Sequence, residues 1–223
     1  IALEELERMG RVVGDLSELA ASARPDYVRP RRLDMAAFAR SAFARIEHIA
    51  EREWILDGAA EAMADADEQR LAQAVVQLAA NAVRYSEEGS RIRFGVNRML
   101  GADGPEIHVT VQDEGLGIAP EDQRRIFERF TRVDGGRDSG SGLGLPIVLS
   151  IAEGHGGAVR LQSEPGRGST FTIVFPQFAQ SPSADPEPRG ERGLAAPTAA
   201  GDTGARGPVP ADDDPTAGRR NEG

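Results

Sequence analysis

Asp113-Glu-Gly-Leu-Gly-Ile118 and, about two dozen residues later, Gly140-Ser-Gly-Leu-Gly-Leu-Pro146 are the stretches whose residue types most directly offer chemistry. Glycine leaves the backbone bare and permits φ > 0, so a ligand can come close to main-chain N–H groups. Successive unobstructed N–H groups form an anion-binding concavity. The second cluster runs into the apolar stretch Leu143 to Ile151, which reads as a helix, and a helix N-terminus preceded by glycines suits phosphate. Asp113 places an acceptor-only side chain before the first cluster, suited to an exocyclic amino group such as that of adenine. Upstream, Leu71, Val75, Leu78 and Ala82 fall at helical spacing. Gln77, Asn81 and Arg84 follow one another at i, i+4 and i+7 and share a face beside that stripe. A carboxamide oxygen there can complete a Mg²⁺ shell that otherwise holds water and phosphate oxygens. Arg84 adds charge for the phosphates, and Tyr85 a ring edge for a base. Each segment alone reads equally well as a glycine turn or a solvated helix face; the three together predict nucleotide binding.

These residues resemble the sensor histidine kinases of the GHKL superfamily. Asn81-Ala-Val-Arg-Tyr-Ser86 is similar to the family's N box, Asp113-Glu-Gly-Leu-Gly-Ile118 to G1 and Ile126-Phe-Glu-Arg-Phe130 to the F box. Gly140-Ser-Gly-Leu-Gly-Leu145 resembles G2, and Gly166-Arg-Gly-Ser-Thr-Phe171 the closing G3. All five occur in the family's order, and the resemblance covers roughly residues 1–177. It implies a two-layer α/β sandwich of the Bergerat type, a mixed sheet with helices on one face, preceded by one dimerisation helix. It also implies ATP and Mg²⁺ as cofactors. Asn81 would hold the metal, with Gln77 as a second contact where the family often has Asn. Arg84, in place of the commoner Lys, would hold phosphates with the backbone of Gly140, Gly142, Leu143, Gly144 and Leu145. Asp113 would read the adenine amino group, supported through water by Thr170, with Tyr85, Gly115, Gly117 and Ile118 around the base. Residues 131–140 would form a lid that brings Arg132 or Arg137 to the γ-phosphate. Phe127 and Phe130 would anchor its near end or simply pack in the core, and Thr131 stands where a Tyr is frequent.

The implied reaction is transfer of the ATP γ-phosphate to a histidine, and then to an aspartate on a response-regulator receiver domain. Positioning and charge neutralisation dominate such transfers. None of the three histidines matches the phosphoacceptor motif. His48 lies in Arg45-Ile-Glu-His-Ile-Ala50 with no proline following, His108 in a strand, and His155 at a helix end before two glycines. The acceptor is expected on an upstream helix, and the start at Ile1 rather than Met suggests a piece of a longer protein. Gyrase-, chaperone- and mismatch-repair-type ATPases place a water-activating Glu where Gln77 stands, and a carboxamide is no general base. A serine kinase acting on an anti-sigma-factor partner would lack the seam helix and F box. A non-catalytic nucleotide-binding module would differ only in failing to transfer phosphate.

Composition bounds these readings. The 223 residues are 39% hydrophobic and 5% aromatic, with no Cys, no Lys and a net charge of −10. That acidity argues against a nucleic-acid partner. The absence of cysteine excludes disulfides and thiolate metal sites. No apolar run approaches a membrane span, so the chain is expected to be cytoplasmic without membrane contact of its own, and the full-length protein membrane-anchored. Ala2, Leu6, Met9, Val13, Leu16 and Ala20 alternate four-three as a heptad seam, expected to be the second helix of a homodimerising hairpin over residues 1–24. Residues 25–33 then form a linker and first strand, with Val28 to Leu33 as the strand. Residues 34–178 form the ATP-binding domain. Within it, Asp34 is expected to cap a helix from Met35 to about Glu51. Short strands follow at 54–56 and 62–64, then the Asn81 helix and a hairpin of 91–96 with 106–112. A short helix from Pro120 to Phe127, a helix 143–153 and strands 158–162 and 170–175 complete it. Residues 179–223 hold seven of the fourteen prolines and no aromatic, too little apolar surface to offset ordering, and are expected to be a disordered tail.

Overall fold

The computed structural model describes residues 2–24, 26–131 and 141–178. Helix α1 (Ala2–Ser22) precedes a short strand β1 (Arg31–Asp34), α2 (Met35–Ile46), β2 (Glu53–Ala59) and β3 (Met63–Ala66). Then come α3 (Glu68–Tyr85), the hairpin β4 (Arg91–Gly101) and β5 (Gly104–Asp113), and a single 3₁₀ turn (Arg125–Phe127). The chain continues through α4 (Gly144–Gly154), β6 (Ala158–Glu164) and β7 (Gly168–Pro176). The main sheet runs β2-β4-β5-β7-β6, and β1 and β3 pair separately. β2 lies parallel to β4, and the remaining neighbours are antiparallel. This is the mixed-sheet, two-layer arrangement that the sequence predicts.

Period-two alternation divides the sheet into unlike faces. Ile92, Phe94, Val96, Ile107, Val109, Val111, Phe171, Ile173 and Phe175 are buried, packing with Phe38, Leu71, Leu78, Ile147 and Ile151 from the helices. Removing this apolar surface from water is the main stabilising contribution, roughly 25 cal/mol per Å². The opposite face is polar: Thr110 meets Thr172 at 3.1 Å, and Glu106 meets both His108 and Arg160.

Local signals explain most boundaries. The Asp34 carboxylate accepts from the Ala36 and Ala37 N–H groups, and Asp67 accepts from Arg70 N. α2 stops at Ile46 rather than near Glu51, because residues 47–50 turn the chain back toward β2, with Ile49 N bonded to Ile46 O. β1 begins at Arg31 rather than Val28; Pro30, just before it, has no N–H to give a ladder. The hairpin strands extend to the two-residue link Ala102-Asp103, pairing Gly101 with Gly104. The expected helix from Pro120 is instead a run of turns ending in the 3₁₀ turn. The expected tail lies outside the described residues.

Candidate nucleotide site

The C-terminal half of α3 and three loops converge on one site. At the first, Asp113 ends β5 opposite Ser169 of β7. Its Oδ1 accepts from Gly115 N at 2.9 Å and Ser169 N at 3.3 Å, and Oδ2 takes no hydrogen bond among the described residues. Burial pushes this carboxyl above the usual carboxylate range, and the two N–H groups draw it partly back. A buried carboxylate with one oxygen committed and one available is a fixed acceptor.

The loop after Asp113 is held from both sides. Leu116 N donates to Tyr85 O at 3.0 Å, tying it to the end of α3, and Gly166 N donates to Leu116 O at 2.7 Å. Ile118 N donates to Ser163 Oγ at 2.8 Å. Gln123 Nε2 reaches the carbonyls of Ile118 and Ser163. Gly117 sits at φ +68, and a Cβ there would stand 2.0 Å from the Glu164 carbonyl oxygen, so only glycine satisfies both the left-handed backbone and the close approach.

On the phosphate side, Gly142 adopts φ +70 and its carbonyl accepts from Phe130 N at 3.1 Å. Leu143 is fully buried, fixing the start of α4 behind the loop. A Cβ at Gly144 would stand 2.7 Å from Gln77 Oε1, so Gln77 lies against the loop. Asn81 is half-buried and Arg84 exposed one and two turns further along α3, and neither side chain bonds another described residue. Arg52 braces this helix end, donating to the carbonyls of Val83 and Ser86, where the helix dipole favours a cation.

Not every expected residue falls where the sequence suggests. Thr170 pairs with Gln112 and shares a face with Thr172, away from Asp113; the hydroxyl residue beside Asp113 is Ser169. Tyr85 contributes its carbonyl to the loop while its side chain is 43% exposed. Phe127 packs edge-on against Phe171, ring centroids 6.4 Å apart, whereas Phe130 is 61% exposed at φ +62. Arg132, Arg137 and Gly140 lie outside the described residues, as does nearly all of the expected lid. Ser163, Gln123 and Arg52 are missed by motif reading, since they act through backbone groups remote in sequence. Ser169 had a signal: Phe171, Ile173 and Phe175 mark the core face, and counting back by two reaches it.

The donor set fits a magnesium nucleotide. Asn81 offers a neutral hard oxygen, Asp113 an acceptor, and residues 142–144 a glycine-lined loop in which a methyl group at Gly142 would stand 3.0 Å from Phe130. A mixed sheet backed by helices, with a buried Asp at a strand end and a glycine loop opening a helix, defines an ATP-binding catalytic domain. Residues 66–179 match the family described as histidine kinase-, DNA gyrase B- and HSP90-like ATPase, and the chain belongs to that family. Its relatives place it with the sensor histidine kinases. It is 43% identical over 129 residues to the sensor-like histidine kinase SenX3 of Mycobacterium tuberculosis, covering 56% of this chain and 30% of SenX3. It is 31% identical over 183 residues to the sensor histidine kinase WalK of Bacillus subtilis, covering 79% of this chain and 30% of WalK. Full-length ShkA in complex with AMPPNP superposes with a TM-score of 0.64 at 29% identity, over 78% of this chain and 37% of ShkA. The chain thus spans about a third of the length of these relatives and carries the catalytic ATP-binding domain. Among the described residues, no helix is long and apolar enough to cross a membrane.

Proposed function

We propose that this domain binds Mg-ATP and passes its γ-phosphate to a histidine outside the chain, for relay to an aspartate of a response-regulator receiver domain. The observation that carries the reading is Asp113: buried, ionisable, with Oδ1 held by two backbone N–H groups and Oδ2 open to a base. Adenine's amino group would bond Oδ2, and the Ser169 hydroxyl stands on the same face to support it. Asn81 would hold Mg²⁺, which supplies charge neutralisation on the phosphates, with Gln77 beside the loop as its second contact. Arg84 and the backbone of residues 142–144 would hold phosphate oxygens. Arg132 and Arg137 remain the proposed contacts to the γ-phosphate. A hydrolase is not favoured, since Gln77 occupies the position of a general base it cannot replace.

The chain's own histidines fit structural roles. His155 is 8% exposed, its Nε2 accepting from Asp67 N and its Nδ1 donating to Ile151 O. His108 pairs with Glu106 on the polar sheet face, and His48 is exposed in the turn after α2. The acceptor histidine is therefore proposed on a preceding helix that would pack with α1. Leu6, Met9, Val13 and Leu16 are all exposed and are the seam residues, which supports a homodimeric bundle through that face. The full-length protein is proposed to be anchored in the membrane, with this domain on the cytoplasmic side.

Incubation with Mg-ATP and a separate dimerisation hairpin bearing its histidine tests the proposal. Acid-labile phosphate should appear on the hairpin and not on this chain, and Asn81→Ala should abolish the transfer with the fold retained, since a helix tolerates Ala. Strong labelling of His48, His108 or His155 in the chain alone would overturn the reading.

A further inference from the structure

Helix α1 touches the site in a way that dimerisation does not require. Its seam faces outward, while Leu19, 6% exposed, is buried with the core and Glu18 is ion-paired to Arg70 of α3. Arg70 also bonds the Tyr27 carbonyl and lies over the Tyr27 ring, so the connection after α1 is clamped to the same helix. One turn before Leu19, Asp15 Oδ2 accepts from Ser141 Oγ at 2.6 Å. That hydroxyl oxygen in turn accepts from Leu143 N at 3.2 Å. The relay runs from a carboxylate on α1 to a backbone N–H in the loop assigned above to phosphate.

Two consequences follow from elementary chemistry. An N–H bonded to a hydroxyl must leave it before it can bond a phosphate oxygen at full strength. A carboxylate one hydroxyl away repels a polyanion by an amount that grows with the anion's charge. We propose that Asp15, acting through Ser141, withholds part of the phosphate cradle, so that docked α1 competes with the nucleotide's phosphates for Leu143 N–H. The inference rests on the nucleotide reading of the site and adds a regulation to it. Any rearrangement of the helical bundle that draws α1 away from α4 would release the amide and raise affinity for ATP more than for ADP. The exposed seam gives such a rearrangement a handle on the opposite face of the same helix.

Calorimetric titration of ATP, ADP and adenosine into the full chain and its Asp15→Ala, Ser141→Ala and double variants tests this. Ala is well tolerated at a helical position, and adenosine reports on the base end alone. Asp15→Ala should tighten ATP about fivefold, the scale of one competing hydrogen bond, ADP less, and adenosine not at all. Ser141→Ala should tighten ATP comparably, and the double variant should gain no more than the single ones, as expected for members of one relay. Unchanged or weaker ATP binding in Asp15→Ala overturns the proposal, as does equal tightening of adenosine, which would mean general loosening. Tightening by Asp15→Ala but not Ser141→Ala overturns the relay through Ser141. If the unmodified chain binds neither ATP nor adenosine, the nucleotide reading itself fails, and the regulation with it.

Discussion

The two ends of the nucleotide site are built on opposite plans. At the base end nearly every polar group has a partner within the protein. Asp113 Oδ1 holds two N–H groups, Ser163 Oγ takes Ile118 N and contacts Ser169 Oγ, and Gln123 closes the loop. At the phosphate end Asn81 and Arg84 bond no other described residue, and among the described residues the one side-chain bond to the glycine loop's backbone comes from Ser141, itself held by the N-terminal helix. The base is neutral and of fixed shape, so a rigid socket can recognise it without further cost of ordering. A triphosphate brings its own charge and metal, and groups prepared for it must stay unpaired until it arrives. The first end is a mould, and the second a set of open contacts.

The sharpest way to break this comparison is Asp113→Asn. The amide keeps an acceptor for the two N–H groups but turns the available position toward a donor. ATP and adenosine should weaken alike, by about 1–3 kcal/mol, the scale of an unsatisfied buried polar group. Stability should move the other way. Because burial raises the folded-state pKa of this acid, the ionised form at neutral pH costs stability, which falls as pH rises from the unfolded value through the folded one. The variant should therefore unfold at an equal or higher temperature than the parent without nucleotide. Loss of affinity accompanied by loss of stability would show the base end to be a structural brace rather than a prepared socket.

A smaller effect concerns the helix pair beneath the phosphate end. His155 joins the C-terminus of α4 to the cap of α3: its Nε2 must be unprotonated to accept Asp67 N at 2.9 Å. Burial holds its pKa below the ordinary 6.5, against the pull of the Ile151 carbonyl and Asp67. A depressed base contributes stability that is present above the unfolded pKa and is lost as pH falls through the folded one. Urea midpoints should thus decline below about pH 6.5, and His155→Gln, which cannot be protonated, should flatten that decline. An identical pH profile in the variant would remove the brace from the account.

The smallest expected change is at Thr170. With its side chain on the polar face beside Thr172, Thr170→Val should leave ATP affinity within about 0.5 kcal/mol, as for surface changes remote from a site. Ser169→Ala, one residue away, should weaken adenosine measurably by calorimetry. The reverse order would mean that the strand presents its other face to the base.

Much of the fold was legible because it rests on local periodicity. The 3.6-residue stripe of α3 and the alternation of β4, β5 and β7 are consequences of which side chains must leave water, and the cap at Asp34 of which backbone N–H groups need an acceptor. The glycines at 115, 117, 142 and 144 were equally legible, since the conformations and close approaches they permit are denied to other residues. Helix α2 was overextended because apolar spacing continues past Ile46 to Ile49, and only the need to start β2 beside β4 ends it. The short helix at Pro120 was overread for a similar reason, as favourable first-turn residues do not supply a face to bury.

The sequence alone determined most of the elements, the two glycine loops and which residue types could meet adenine, metal and phosphate. Tertiary structure alone decided which atoms do the holding. Register set Asp113 opposite Ser169 and turned Thr170 away. The end of β6 brought Ser163, and the turns before the 3₁₀ turn brought Gln123, to the loop after Asp113, and the packing of α1 against α4 put Asp15 on Ser141. The physical reason is one of range. Side-chain burial and backbone conformation are fixed within a few residues, whereas a hydrogen bond between Asp15 and Ser141, 126 positions apart, exists only once packing has placed both.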